Sequence, residues 1–320
     1  MLQNNIKKYK SIDGFFEKKI PVNETLKLKN IKNKKLTILG KGNSISGLPY
    51  NEKSLLIKLN FKDEIILNKK RLEVETNGNI AVYKIHNFLI QHKLYFPSFP
   101  SYSYVSLGAC VANCVHGNNP KDGVIKKYIK ELEIYNPNFG YKILTRNQNK
   151  KLFHLTIGGM GMTGIITKVK LKVLNLKSSF IKVDKKIEFT KLIDVYKYLN
   201  KSKYVYNQNN IFINYDKKRF IMARVSSGNF SNKKFEEKKI KKKKIFSFRL
   251  NIFKVSLFKK IIEKFVLIKE TSFGKKILHI NDAFHPSNNR LLYFCLLSKK
   301  FIEHQAIIPH SNTKKFLKEF

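Results

Sequence analysis

The stretch that most limits what this chain can become is Gly159-Met160-Gly161-Met162-Thr163-Gly164, taken with the residues directly after it. The hexapeptide satisfies the G-x-G-x-x-G pattern of dinucleotide-binding turns, which works only where a strand gives way to a helix whose first turn meets a pyrophosphate. Here it runs into Ile-Ile-Thr-Lys-Val-Lys-Leu-Lys-Val, β-branched and alternating apolar residues with lysine, which is a strand pattern. A Rossmann-type NAD site is excluded, and the glycines serve a turn that joins strands. A second cluster, residues 40–47, fails as a phosphate loop. Gly42-x4-Gly47 begins like one, but Leu48 and Pro49 stand where Lys and Ser or Thr are required.

With 320 residues the chain has room for two domains with cores of their own. Up to about residue 174, short β-type runs (36–39, 54–59, 72–75, 129–135 and 165–173) surround one amphipathic helix predicted over 80–92. That helix follows Asn77-Gly78-Asn79, a turn that offers a capping Asn. Beyond residue 175 the glycines thin out, and helix-like stretches (189–199, 255–268) mix with strands (210–215, 220–225, 305–308). The expected division is 1–175 and 176–320, both α+β.

A third segment, residues 105–119, is almost all small side chains and ends in His116, Gly117, Asn118 and Asn119. Taken alone it reads as a tightly packed strand. It also suits a place where backbone N–H groups approach an extended anionic ligand with no Cβ in the way. Its Cys110-x3-Cys114-x-His116 spacing does not make a zinc site, because no second ligand pair follows. Three cysteines, an odd number, do not indicate a disulfide framework.

The net charge of +42, from 64 basic and 22 acidic residues, would draw the chain toward nucleic acid or an anionic membrane. Only six of the 64 are arginine, however, and lysine shares its excess with Asn, Ile, Phe and Tyr, so codon bias is an equal explanation. Nucleic-acid readers favour arginine, and no helix-turn-helix, zinc finger or RNP-type strand is visible. Nucleic acid is therefore not expected as a partner. The stretch 246–270 spaces apolar residues at helical intervals with lysines between, which fits either a membrane-surface helix or a core-facing one. The first residues lack the apolar run of a secretory signal, so a cytoplasmic location is expected.

The ordered series GKGNS, VSLGACVANCVHGNN and LFHLTIGGMGMTGIITKVKL resembles the FAD-binding domain of the vanillyl-alcohol-oxidase (PCMH-type) superfamily. It is most similar to the branch holding decaprenylphosphoryl-β-D-ribose 2-oxidase and the sugar-lactone and alditol oxidases. The resemblance covers residues 36–173, and fainter echoes of the substrate domain follow in Phe284-His285-Pro286 and residues 303–309. It implies a two-subdomain PCMH-type FAD-binding domain, then an α+β substrate domain with an antiparallel sheet. A C-terminal return segment is expected beyond Phe320 and is missing from this sequence.

By the resemblance, Gly40, Lys41, Gly42, Asn43 and Ser44 wrap the FAD pyrophosphate. Ser106, Leu107, Gly108, Ala109, Asn113, Cys114 and His116 inherit flavin contacts with Gly117 and Asn118 beside them, and Gly164 and Ile165 reach the adenine half. Relatives that attach FAD covalently often carry His where Asn43 stands, so non-covalent binding is expected. Ser101, Ile45 and the Pro120-Lys121 pair also depart from the family's usual residues, which leaves the substrate open.

The implied reaction oxidises a secondary alcohol of a sugar while a base takes the hydroxyl proton. His116 is the titratable residue best placed to be that base, or equally a residue that holds the flavin; Glu303 and Gln305 are the expected sugar contacts. The substrate expected first is a polyprenyl-phosphate-linked sugar for the cell envelope, with a short-chain reductase as partner and peripheral attachment to an anionic membrane. Free alditols or sugar lactones are the alternative. A non-enzymatic basic protein on anionic lipid or nucleic acid is the rival class.

Overall fold

The computed structural model describes residues 4–10, 17–25, 35–44, 54–117, 119–214, 219–241, 277–288 and 308–319. The expected helix at 255–268, the basic stretch 246–270, residues 305–307 of the expected strand at 305–308, Asn118, Glu303 and Gln305 lie outside them.

The chain opens with a four-stranded sheet. Strands β1 (Asn4–Lys10) and β2 (Glu17–Thr25) pair antiparallel, and β2 and β3 (Leu36–Leu39) each run parallel to β4 (Leu55–Leu59). Next comes an antiparallel five-stranded sheet in the order β5-β6-β10-β8-β9, where β5 is Ile65–Asn68, β6 Glu73–Asn77, β8 Ile129–Asn136, β9 Gly140–Thr145 and β10 Ile165–Lys172. The intervening β7 is the short Leu94–Tyr95. Central strand β10 follows the expected alternation: Val169 and Leu171 are buried, whereas Lys168 and Lys172 face out. On its outer face Lys170 lies 3.1 Å from both Glu75 and Glu131, and Thr167 donates to Glu133. The shallow depression those side chains line is filled by its own ion pairs and is a solvated face.

Two helices cover the inner face. Helix α1 (Val82–Gln91) buries Val82, Ile85 and Leu89 in the main core. Each such side chain contributes about 1.5–3 kcal/mol through removal from water. The capping expectation for Asn79 is corrected: the first cap position is Ala81, with no side-chain cap, and the Asn79 amide donates instead to the Phe61 carbonyl at 3.1 Å. The strand reading of residues 105–119 is corrected as well. Leu107–Ala112 is helix α2, which turns Leu107, Cys110 and Val111 into the core. A strand there would have sent alternate residues outward, whereas these three sit at helical spacing. Helix α3 (Lys150–Thr156) leads into the 157–164 turn.

A pairing of β11 (Leu174–Asn175) with β7 closes this half. A second antiparallel sheet comes after it, β13-β14-β12-β15, from β12 (Phe180–Phe189), β13 (Tyr206–Asn214), β14 (Arg219–Phe230) and β15 (Ile277–His279), with α4 (Leu192–Lys201) against it. The described chain is thus α+β with antiparallel sheets in both halves. The second core holds Ile181, Val183, Tyr206 and Leu278, and also takes Ile90 from α1. One helix serves both cores.

At that junction two imidazoles are sealed in. His86 Nε2 pairs with Asn281 Oδ1 at 2.8 Å, and His285 Nδ1 donates to the Pro100 carbonyl at 2.7 Å. Their rings stand edge-on with centroids 4.6 Å apart, and the His285 Nε2 is buried without a partner. Burial pushes His86 well below its ordinary value, with His285 adding to the push, and burial lowers His285 to about 4. Because both folded values lie below the unfolded one, this stability is present above about pH 6.5 and lost as pH falls from there toward 4. Urea unfolding is expected to show wild-type protein losing on the order of 2 kcal/mol more between pH 7 and pH 5 than His285→Phe. Equal losses would show that the sealed imidazole is not the source.

Candidate functional site

Helix α2 is the element around which the candidate residues gather. The backbone comes within hydrogen-bonding distance of the turn before α1: the Gly108 amide donates to the Gly78 carbonyl at 2.7 Å, and the Leu107 amide to the Ile80 carbonyl at 2.9 Å. A Cβ on Gly108 would sit 2.9 Å from the Gly78 oxygen, and one on Gly78 would sit 2.1 Å from the Ile166 carbonyl. Only glycine lets three backbones stack so closely.

The first loop meets the start of this helix. A Cβ on Gly40 would lie 2.5 Å from Ser106 Oγ and 3.6 Å from the Ala109 Cβ, and Asn43 Nδ2 donates to the Tyr104 carbonyl at 2.8 Å. Gly42 has φ +73°, a left-handed conformation that suits glycine. Lys41 is exposed, and Gly42, Asn43 and Ser44 are partly so. The hexapeptide meets the other end. Gly158 and Met160 amides donate to the carbonyls of Val111 and Ala112 at 3.0 and 2.9 Å, which fills acceptors that a helix C-terminus leaves open. The G-x-G-x-x-G letters therefore describe a turn that closes a helix end, with its backbone inward and its side chains outward; Met162 is 84% exposed. Gly164, at φ +140°, packs against the Tyr135 carbonyl and delivers the chain into β10.

Between these ends, α2 has two unlike faces. Leu107 is wholly buried, and Ile165 sits with Ile57, Leu59 and Tyr135 in a small core cluster. Ala109 and Asn113, one turn apart, lie on the open side, and the Asn113 amide folds back on the Ala109 carbonyl at 2.8 Å. Cys114, at φ +47°, comes next, its Cβ beside Gly158. His116 is exposed and its Nδ1 lies 2.9 Å from the Gly117 carbonyl. Since a carbonyl only accepts, that nitrogen carries the proton, and a neutral ring then leaves Nε2 bare. Gly117 is buried, and a Cβ there would strike the Pro97 carbonyl at 2.2 Å.

Two residues of this region carry no signal of their own in the sequence. Asp122 follows His116 in the loop that His116 and Val124 close by a bridge. Burial raises its carboxyl to about 6, against the pull of Lys127 and a hydrogen bond from Asn119. Its charge in turn helps burial push the Tyr95 and Tyr128 hydroxyls up to about 12. Asn119, 7% exposed, bonds into the second sheet, and that long-range partner is what makes it stand out.

A family described as FAD binding domain matches residues 17–138. The turn at 157–164 lies beyond that match. A D-arabinono-1,4-lactone oxidase of Candida glabrata is 26% identical over 163 residues, which is 49% of this chain and 31% of that protein. A decaprenylphosphoryl-beta-D-ribose oxidase of Mycolicibacterium smegmatis is 23% identical over 113 residues, 35% of this chain and 25% of that one. A mitochondrial L-galactono-1,4-lactone dehydrogenase 2 of rice (Oryza sativa subsp. japonica) is 25% identical over 140 residues, 43% and 24% of the two chains. The chain spans less than a third of the length of these relatives. The resemblance read from the three ordered segments is borne out, and FAD is the cofactor that the matched domain takes. The residues fit such a group. A strip of glycine and alanine backbone lies along the open side of α2, where the small side chains leave the backbone approachable.

Two substitutions separate holding the cofactor from holding the fold. Gly42→Val is expected to abolish FAD retention while lowering Tm only slightly, because the strain falls on a partly exposed loop. Gly108→Val is expected to lose both, because it drives α2 off the Gly78 turn. Full flavin occupancy in both purified variants would sink this assignment of the segments.

The raised value of Asp122 sets a further expectation. The folded carboxyl holds its proton better than the unfolded one, so it penalises folding as pH rises through about 6. Asp122→Asn should raise Tm by a few degrees near pH 7.5, and the gain should shrink toward zero as pH approaches 4. A gain independent of pH in thermal scans would rule out the buried carboxyl as its cause.

Proposed function

We propose that this chain carries the cofactor half of an FAD-dependent oxidoreductase that oxidises a CH–OH group of a sugar-like substrate. The single observation that carries this reading is the packing of residues 40–44 against the start of α2, whose open face leads on to His116, within a stretch that matches an FAD-binding domain. Bound FAD supplies a two-electron, hydride-accepting centre. The backbone amides of residues 40–44 hold the pyrophosphate, and Ala109, Asn113 and Cys114 offer small side chains along which a flat ring can lie. His116, with Nδ1–H engaged on Gly117, presents a bare Nε2 that takes the proton of the sugar hydroxyl. Asn43 stands where relatives that attach FAD covalently often carry His and offers no nucleophile there, which supports non-covalent binding.

The substrate class follows two readings. The longer matches belong to proteins named for sugar lactones, which favours a free sugar lactone. The charge of +42 and the match to a decaprenylphosphoryl-ribose oxidase favour a polyprenyl-phosphate-linked sugar instead. Peripheral attachment to anionic lipid on the cytoplasmic side, and a short-chain reductase that completes an epimerisation, belong to this second reading only.

Acid precipitation of purified protein is expected to leave all flavin in the supernatant, and anaerobic addition of an aldonolactone is expected to bleach it. Colour retained in the pellet would overturn non-covalent binding. Bleaching by a lipid-linked sugar but not by lactones or alditols would move the substrate to the second reading.

A further inference from the structure

Asn119 stands inside the loop that His116 and Val124 close, and its side chain also reaches another part of the molecule. Its Nδ2 donates to the carbonyls of Val205 and Tyr204 at 3.2 and 3.4 Å, at the entry to β13. Its Oδ1 accepts from the Lys121 amide on its own loop and from Asn207 Nδ2 on β13, both at 3.3 Å. Asn207 is in turn fixed from behind. Its Oδ1 accepts from Ser202 Oγ at 2.8 Å and from Ser227 Oγ at 2.7 Å, and Ser227 accepts from the Tyr198 hydroxyl on α4 at 3.0 Å. Asn119, Asn207, Ser202 and Ser227 are 7, 2, 6 and 0% exposed, so the chain of bonds runs through the interior.

A buried polar network of this kind costs desolvation and must be completed bond by bond to be tolerated. An apolar contact would join the two halves at least as well, and α1 already does so through Ile90. What the network adds is direction. Asparagine amides fix the angle and register of the loop relative to β13 in a way that apolar packing does not. The loop so fixed carries His116 and Asp122, whereas the anchored side is the sheet that the sequence assigns to substrate.

We infer that Asn119 and Asn207 are positioning residues that lock the His116 loop to the second sheet, so that residues of the second half govern how the first half holds FAD. This rests on the proposal that the chain binds FAD. Both side chains are engaged with protein groups, and their effect runs through the loop backbone.

The experiment is a double-mutant cycle on FAD affinity in the full chain, with fluorescence quenching for Kd and visible circular dichroism for the environment of the bound flavin. Asn119→Ala and Asn207→Ala are each expected to weaken FAD about tenfold and to change the dichroic band, and the double variant to be no weaker than the worse single one. Asn207→Asp, which keeps the acceptor for Ser202 and Ser227 but loses the donor to Asn119, should reproduce the effect and serves where alanine variants do not accumulate. Val195→Ala, a core truncation on the buried face of α4, should lower Tm without changing FAD affinity, which separates positioning from general loosening. Wild-type protein that binds no FAD would overturn the functional reading itself. Wild-type protein that binds FAD, with Asn207 variants that match it in Kd and dichroism, would overturn this inference alone.

Discussion

The described structure depends on the contact between Gly78 and Gly108, where a turn and a helix meet backbone to backbone. A hydrogen bond of 2.7 Å joins them, and any side chain at either position would collide with a carbonyl. With α2 seated there, Leu107, Cys110 and Val111 point into the core, and the opposite face is left to small residues. The 40–44 loop can then lie against the helix start, and the 157–164 turn can fill the carbonyls at its end. One bulky residue at the contact would displace all three segments together. The glycines are therefore needed in two ways, for close packing at positions 40, 78, 108 and 117 and for a left-handed turn at 42.

Electrostatics around the junction run in opposite senses. His86 and His285 are sealed neutral, so acid drives protons into a space with no room for charge. Asp122 is held half-buried with its charge poorly repaid, so acid relieves it. As pH falls, the junction weakens while the His116 loop is eased.

Much of this is legible in the sequence because it rests on short-range pattern. The strands at 36–39, 129–136 and 165–172 announce themselves by β-branched alternation, and the helix at 82–91 by its apolar stripe. The rejection of a nucleotide-binding helix after Gly164 rests on the same alternation, and the chain does enter a strand there. Helix α2 reads wrongly as a strand because small residues carry weak preferences for either structure. The spacing of Leu107, Cys110 and Val111 is the available signal. Asn79 has the look of a cap but finds a carbonyl at Phe61, 18 residues upstream. The role of Asn119 depends on Asn207, 88 residues away, and no local pattern encodes such a partner.

Because α1 contributes Val82, Ile85 and Leu89 to one core and Ile90 to the other, the two halves have no free linker between them. The Leu176 amide, bonded to the Lys93 carbonyl, clips the crossover to the end of the same helix. A hinge needs a few residues that can turn without breaking packed surfaces, and here any large rotation would open both interiors. Traffic to the face of α2 is then left to its bordering loops, so the molecule would exchange small molecules with solvent on the nanosecond-to-microsecond clock of loop motion rather than the slower clock of domain rotation.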